Sequence, residues 1–143
     1  MAQHSSEDID WVAAQAKCNA AAFFERFRNG IKQDVARRNA LTDHPDRATF
    51  EYFEDDDGAI EVTRATGSAL GATNVTAVVR MRRAGPRIEV VGEDVDVMLH
   101  AVLSLDPDGH CRVVIGEAMF AEWEFRRLAL EQLFFQDAEP DDD

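Results

Sequence analysis

The sequence predicts an α+β fold, in which a long N-terminal helix and a C-terminal helix pack on one face of a roughly six-stranded antiparallel meander sheet. Three observations support this prediction. Apolar residues recur every three or four positions near the start, six short segments with strand composition follow in pairs, and an Ala-, Leu- and Glu-rich segment comes last. The 143 residues are the size of one domain. We expect residues 1–136 to form it and residues 137–143 to be a disordered acidic tail.

The first segment is predicted to be a helix from about Glu7 to Asn39. The sequence Ser5-x-x-Asp8 is typical of a capping box at a helix start, and residues 42–45, which end in proline, are expected to stop the helix. If the helix bends, Gly30 is the expected position of the bend. One face is apolar and is formed by Ile9, Val12, Ala16, Ala20, Phe23, Phe27 and Ile31.

The first half of this helix has a second apolar face, opposite the first, which is formed by Trp11, Ala14, Cys18 and Ala22. A helix that is apolar all round is normally buried. Two arrangements follow, and the sequence leaves both open: this half lies inside the domain, or it packs on a second copy of the chain. In the second arrangement Trp11, Cys18 and Ala22 form the interface of a homodimer.

The chain has two cysteines, Cys18 in the predicted helix and Cys111 at the start of a predicted strand. No signal-peptide pattern opens the sequence, so we expect a cytoplasmic protein. Two cysteines in such a protein are usually buried thiols. A disulfide would require their Cα atoms to lie within about 7 Å, which the sequence does not determine.

Six segments have the composition and alternation of strands, and turn-forming residues join them in pairs. Three consecutive hairpins predict an antiparallel meander with one buried face and one largely polar face. The loop 65–74, which separates the first two hairpins, is rich in small residues. The predicted strands are Thr49–Phe53, Ile60–Arg64, Val75–Arg83, Arg87–Val91, Val95–Leu105 and Cys111–Ile115.

The segment Glu117–Gln136 is ambiguous at its start, because apolar residues from Met119 to Phe125 alternate as in a strand. The pairs Glu122/Arg126 and Arg127/Glu131 and the overall composition favour a helix. We therefore predict a helix throughout. Trp123 would lie on its bulky apolar face and is a further candidate interface residue.

The polar face of the third strand carries Arg80 and Arg82, and Arg87 begins the fourth strand. The short turn is expected to bring Arg82 close to Arg87, and like charges side by side repel. Three anions could compensate this charge: Glu89, the acidic tail of the same chain, or a carboxylate or phosphate from outside. A solvated arginine face balanced by local acids is the alternative to an anion-binding site.

Asp94, Asp96 and His100 are predicted to share one face of the fifth strand. Carboxylates at this spacing from a histidine could bind a metal or orient the imidazole for acid–base chemistry. The alternative is a solvent-facing polar face, and no third ligand stands at a diagnostic spacing. These three are candidate binding residues, and no metal site is predicted.

The acidic segments Asp55–Gly58 and Asp106–Gly109 are interpreted as turns, because neither has the ligand spacing of a calcium-binding EF-hand loop. No nucleophile elbow, phosphate-binding loop or paired-histidine motif is present in the sequence. The sequence therefore predicts no catalytic residue and no cofactor, and it favours a protein that is not an enzyme.

The net charge of −13 comes entirely from residues 51–143, which hold eight Lys or Arg and twenty-one Asp or Glu. Such a surface repels phosphate backbones, so direct nucleic-acid binding is not expected, whereas a basic protein partner would suit it. No apolar run approaches the ~20 residues that cross a bilayer, so no membrane association is expected.

We predict a non-enzymatic protein-binding module: an adaptor, a chaperone or an inhibitor. In size, acidity and element order the chain resembles the small dimeric chaperones of bacterial type III secretion, but they have a helix between their strands and none is predicted here. One alternative is a small-molecule-binding or enzymatic domain with a pocket between the sheet and the long helix. A second is a nucleic-acid mimic that binds a basic protein, which the charge supports and the arginines weaken.

Overall fold

The computed structural model describes residues 9–41, 48–67 and 73–135, and over these residues the fold is α+β, as predicted. The predicted capping box, the predicted helix stop at 42–45 and the acidic tail lie outside them. No helix in the described part of the chain is long and apolar enough to cross a membrane. The helices are α1 (Trp11–Lys17), α2 (Ala20–Ala40) and α3 (Glu122–Phe135).

Between α2 and α3 the chain forms an antiparallel sheet in which each strand pairs with the next one along the sequence. The predicted meander is confirmed, with seven described strands rather than six. The additional strand, β7, is three residues long and pairs with β6, in a region that we predicted to be helical. The strands are β1 (Ala48–Glu54), β2 (Ile60–Gly67), β3 (Thr73–Ala84), β4 (Arg87–Glu93), β5 (Met98–Leu105), β6 (Cys111–Ile115) and β7 (Ala118–Phe120).

The predicted single N-terminal helix is two helices, and the break lies at Cys18 and Asn19 rather than at Gly30. Asn19 has an extended backbone, and its side-chain Oδ1 accepts a hydrogen bond from the Ala22 N–H at 2.8 Å. Asparagine is among the best residues at this capping position, so the chain starts a new helix there. Its Nδ2 donates to the Ala16 carbonyl at 2.9 Å and thereby also satisfies the end of α1.

The core lies between the sheet and the layer formed by α2 and α3. In α2 every fourth residue is buried, which confirms the predicted apolar stripe over this helix. Along α1 the prediction is wrong, because Val12 and Ala16 are exposed. The two helices meet in an aromatic stack, where the Phe27 ring lies 5.7 Å from Phe23 and 5.1 Å from Phe125. Such pairs stabilise a core beyond the burial of their area.

Candidate functional site

The outer face of the sheet carries the predicted arginines, and local acids pair with two of them. Arg80 contacts Glu61 at 2.8 Å and Glu93 at 3.1 Å. Hydrogen bonds to Glu93 and Glu61 raise the pKa of Arg80 above its ordinary value. Arg82 contacts Glu89 at 2.9 Å. Three anions were considered from the sequence. In the described part of the chain, the acids that contact these arginines are local ones: Glu61, Glu89 and Glu93.

The strand register places Arg82 opposite Glu89 in β4 and Arg87 opposite Ala84 at the end of the hairpin. Arg82 and Arg87 are therefore diagonal neighbours on one face of the hairpin, a spacing that long side chains can reach across. The acid that contacts Arg82 is Glu89, one of the three anions considered from the sequence.

The structure does not place Asp94, Asp96 and His100 on one strand face, because β5 begins at Met98. Asp94 has a left-handed backbone, with φ 64°, and belongs to the turn between β4 and β5. The Asp96 N–H donates to the Gln132 side chain of α3. His100 lies on the outer sheet face, with Nδ1 3.9 Å from Glu89. A site that combines these three residues is therefore not formed.

The two acidic segments are hairpin turns with the same geometry, in agreement with their interpretation from the sequence. Asp55 Oδ1 accepts hydrogen bonds from the N–H groups of residues 57 and 59, and Asp106 Oδ1 accepts from residues 108 and 110. Arg112 donates to the second oxygen of Asp106 at 2.8 Å. Asp108 and His110 lie close to Asp106, but both oxygens of Asp106 already accept these hydrogen bonds.

Cys18 and Cys111 form a disulfide, with their Cα atoms 5.3 Å apart. The expectation of two buried thiols is therefore wrong. The bond attaches the junction of α1 and α2 to the start of β6, because the helix break turns Cys18 towards the sheet. Trp11, Cys18 and Ala22 consequently do not form one helix face: Trp11 is exposed on α1, Cys18 is buried, and Ala22 belongs to α2.

A cleft of about 420 Å³ lies between α2 and α3. Each helix turns one face towards it, because the lining residues recur every three or four positions. This place differs from the predicted pocket between the sheet and the long helix, where the buried aromatic residues pack. The lining residues are Asp34, Arg37 and Arg38 of α2, Leu41 at the C-cap of α2, and from α3 among others Trp123, Arg127, Leu130, Glu131 and Phe135.

The rim of this cleft carries large apolar side chains that remain in solvent. Trp123 is 56% exposed, Phe135 60% and Leu41 67%. Single exposed apolar residues are common, whereas these three lie around one concavity. Trp123 is the residue of this rim that the sequence identified as an interface candidate.

Arg38 and Arg126 form the fixed parts of the cleft. Arg38 Nε donates to the Phe134 carbonyl at 2.9 Å, and its guanidinium lies 5.0 Å from the ring of Phe135. Such stacking holds the guanidinium plane in place. Arg126 donates to Asp34 at 2.7 Å and to Glu122 at 2.8 Å, so it joins α3 to α2.

The charge of the cleft is opposite to that of the chain. Four arginines and two acidic residues line it, whereas the chain as a whole has a net charge of −13. No pattern in the sequence predicts this site, because its basic residues lie on two helices far apart in sequence. The available signal was the pair Arg37 and Arg38 near the end of the first helix, followed by the apolar Leu41.

A second cleft, more polar in character, lies at the other end of α2 and has a volume of about 500 Å³. Arg28, Arg82 and Arg83 line it together with acidic residues of the β1–β2 turn, among them Asp55. The buried Nε of Arg28 has no hydrogen-bond partner among the described residues. Its other nitrogens contact the Gly58 carbonyl at 3.1 Å and Glu54 at 3.6 Å.

Comparison with known proteins gave no relative. A scan against protein-family models, a search of curated proteins and a search of solved structures each found no match.

Proposed function

We propose that this protein is a non-enzymatic binding module that holds a segment of a partner polypeptide in the cleft between α2 and α3. The observation that carries the proposal is the exposure of Trp123, Phe135 and Leu41 around one concavity. Tryptophan and arginine are the residues that most often dominate binding energy at protein interfaces. A groove between two helices is also a recurrent docking place for an amphipathic segment.

The proposal is tested by substituting one tryptophan at a time. Trp123→Asp should reduce capture of a stoichiometric partner from the native host at least tenfold, because it places a charge on the apolar rim. Trp11→Asp is the matched control, since Trp11 is 62% exposed and lies on α1, outside the cleft. Circular dichroism would establish that both variants are folded. Loss with Trp11→Asp alone would instead assign binding to α1.

A homodimer through the α1 region remains the alternative for the same residues. The helix break separates Trp11 from Ala22, so an interface there would use α1 and the junction at Cys18 rather than one long helix. Light scattering after size exclusion distinguishes the two interfaces: a dimer mass that Trp11→Asp halves, with partner binding unchanged, would support self-association through α1.

A pocket for a small anion in the polar cleft is the second candidate, although Glu25, Asp55 and Asp57 line that cleft as well as Arg28, Arg82 and Arg83. The unpartnered Nε of Arg28 is the specific observation in its favour. Phosphate or a dicarboxylate would then raise the melting temperature, and Arg28→Met would abolish the shift. The nucleic-acid mimic is supported only by the net charge, because the described outer sheet face alternates arginine with glutamate.

The predicted cytoplasmic location is not supported by the disulfide. Disulfides persist in oxidising compartments and are rare in the cytosol. We propose that the protein works where the bond between Cys18 and Cys111 can be maintained. Mass spectrometry of protein alkylated in intact native cells would test this, and a fully alkylated cysteine pair would restore the cytoplasmic interpretation.

A further inference from the structure

We propose that the cleft between α2 and α3 receives an acidic segment that carries at least one bulky apolar side chain. This inference rests on the proposed function and adds the chemistry of the partner. It follows from three properties of the cleft: its charge, the exposed ion pairs of two of its arginines, and the apolar surface of its rim.

The charge of the cleft is complementary to an anion. Its lining includes Arg37, Arg38, Arg126 and Arg127 but only Asp34 and Glu131 as acids. In a chain of net charge −13 this is a local reversal of sign. An interface with complementary charge favours the matching partner and repels partners of the same sign. An acidic segment is thus attracted to this cleft and repelled by the rest of the surface.

Two of the four arginines are available to change partners. The side chains of Arg37 and Arg127 are 69% and 63% exposed, and their ion pairs with Asp34 and Glu131 are 3.5 and 3.3 Å long. Exposed pairs of this kind contribute little stability. A partner carboxylate can replace them and accept two parallel hydrogen bonds from one guanidinium. By contrast, the side chain of Arg126 is 16% exposed and held by two short ion pairs.

A partner that matched only the charge of the cleft would leave its apolar rim in water. Trp123, Phe135 and Leu41 leave apolar area in water, and covering it is favourable by roughly 25 cal/mol per Å². An apolar side chain of the partner would supply that cover. The chain's own segment 136–143 follows Phe135 directly and has five acidic residues, but it contains no bulky apolar residue. It matches the charge of the cleft without matching its rim.

The test is a selection from a random 12-residue peptide library displayed on phage, against the full-length protein, with clones that also bind Trp123→Asp removed. Enriched peptides should be net negative and contain Leu, Phe or Trp. Neutral or basic consensus sequences would overturn the acidic chemistry while leaving the proposed function intact. Failure to enrich any peptide would overturn both.

The selected peptide is then used as a fluorescent probe. Arg37→Gln with Arg127→Gln should weaken its binding at least tenfold. The matched control, Lys17→Gln with Arg87→Gln, changes the net charge equally on exposed residues outside the cleft and should leave binding within twofold. Equal losses in both pairs would overturn the inference in favour of a general charge effect.

The segment 136–143 is tested in the same assay. Amide substitutions at its five acidic residues should change the affinity of the probe by less than about threefold. If peptides bind only after these substitutions, the acidic segment of the chain itself occupies the cleft, and the proposed external partner is overturned.

Discussion

Arg126 of α3 crosses α2 directly over Gly30. A Cβ atom at position 30 would lie 2.6 Å from Arg126 Nη1 and 2.8 Å from its Cδ and Cζ atoms. Glycine is therefore present because a side chain from the other helix occupies the space, and not because the helix bends there. Arg126 reaches Asp34 across this gap, and the contact joins elements that are 92 residues apart.

Gly30→Ala is expected to destabilise the protein by about 0.5–2 kcal/mol. Alanine is the better helix former by about 1 kcal/mol, but its Cβ displaces Arg126 Nη1 from its charge-assisted hydrogen bond to Glu122, which is worth roughly 1.5–3 kcal/mol. Urea unfolding followed by circular dichroism measures the difference. The same substitution in an Arg126→Ala background should stabilise by about 0.5–1 kcal/mol, since only the helix propensity remains. Stabilisation in both backgrounds would contradict the proposed overlap.

Reduction of the disulfide is expected to lower stability by several kcal/mol. Cys18 and Cys111 are separated by 93 residues. In the chain-entropy model a loop of that length corresponds to roughly 4–5 kcal/mol, and measured losses are typically 2–5 kcal/mol. Dithiothreitol should lower the melting temperature of the native protein and leave the Cys18→Ser, Cys111→Ser double variant unchanged. Two free thiols in unreduced, unfolded protein would contradict the bond.

At the edge strand β1, a side chain of α2 makes hydrogen bonds to the backbone N–H and carbonyl groups of Phe50. Asn39 Nδ2 donates to the Phe50 carbonyl at 2.8 Å, and the Phe50 N–H donates to Asn39 Oδ1 at 3.0 Å. Asn39→Ala should cost about 1–3 kcal/mol, because two partly buried backbone groups lose their partner. Asn29→Ala, at an exposed position of the same helix, corrects for helix propensity in the same urea titration. Equal effects of the two substitutions would show that the Asn39 bonds contribute nothing.

Asp106 should make stability depend on pH in the acid range. A hydrogen bond from Arg112, followed by those from the N–H groups of His110 and Asp108, lowers the pKa of Asp106 from 3.8 to about 2. Its contribution is therefore complete above its unfolded pKa and disappears as pH falls from about 4 through 2. The melting temperature of Asp106→Asn should lie below that of the native protein at pH 6, and the two should converge by pH 2.

The matched control for this prediction is Asp108→Asn, in the same turn. The backbone N–H of Asp108 donates to Asp106, but the Asp108 side chain accepts none of these hydrogen bonds. The melting temperature of Asp108→Asn should therefore fall between pH 4 and pH 2 as that of the native protein does. If the difference in melting temperature between the native protein and Asp106→Asn stays constant from pH 6 to pH 2, the cause assigned to the lowered pKa of Asp106 is contradicted.

The hairpins could be predicted from sequence because their determinants are local. Asp55–Gly58 and Asp106–Gly109 contain both the capping carboxylate and the glycine, whose φ is 85° in each turn. The buried stripe of α2 has the same local character, since a spacing of four residues defines a helix face by itself. In both cases the information lies within one element.

The features that sequence reasoning missed depend on residues far apart. The bond between Cys18 and Cys111 of β6 joins residues 93 positions apart, and no local pattern specifies that pairing. β7 is three residues long and exists through its pairing with β6, so helix composition was misleading there. The cleft depends on the contact between α2 and α3, which sequence alone does not align. Trp123 was identified by its size and hydrophobicity, but its neighbours were not.

The order of strands in the sheet has a consequence for how fast the chain can fold. Each strand neighbours only those adjacent in sequence, so pairing closes short loops whose entropy cost is small. Topologies with such local contacts fold faster than sheets of similar size with distant pairings. We expect the hairpins to form early. The docking of α3 onto α2, which brings residues 34 and 126 together, should then be the rate-limiting step of folding.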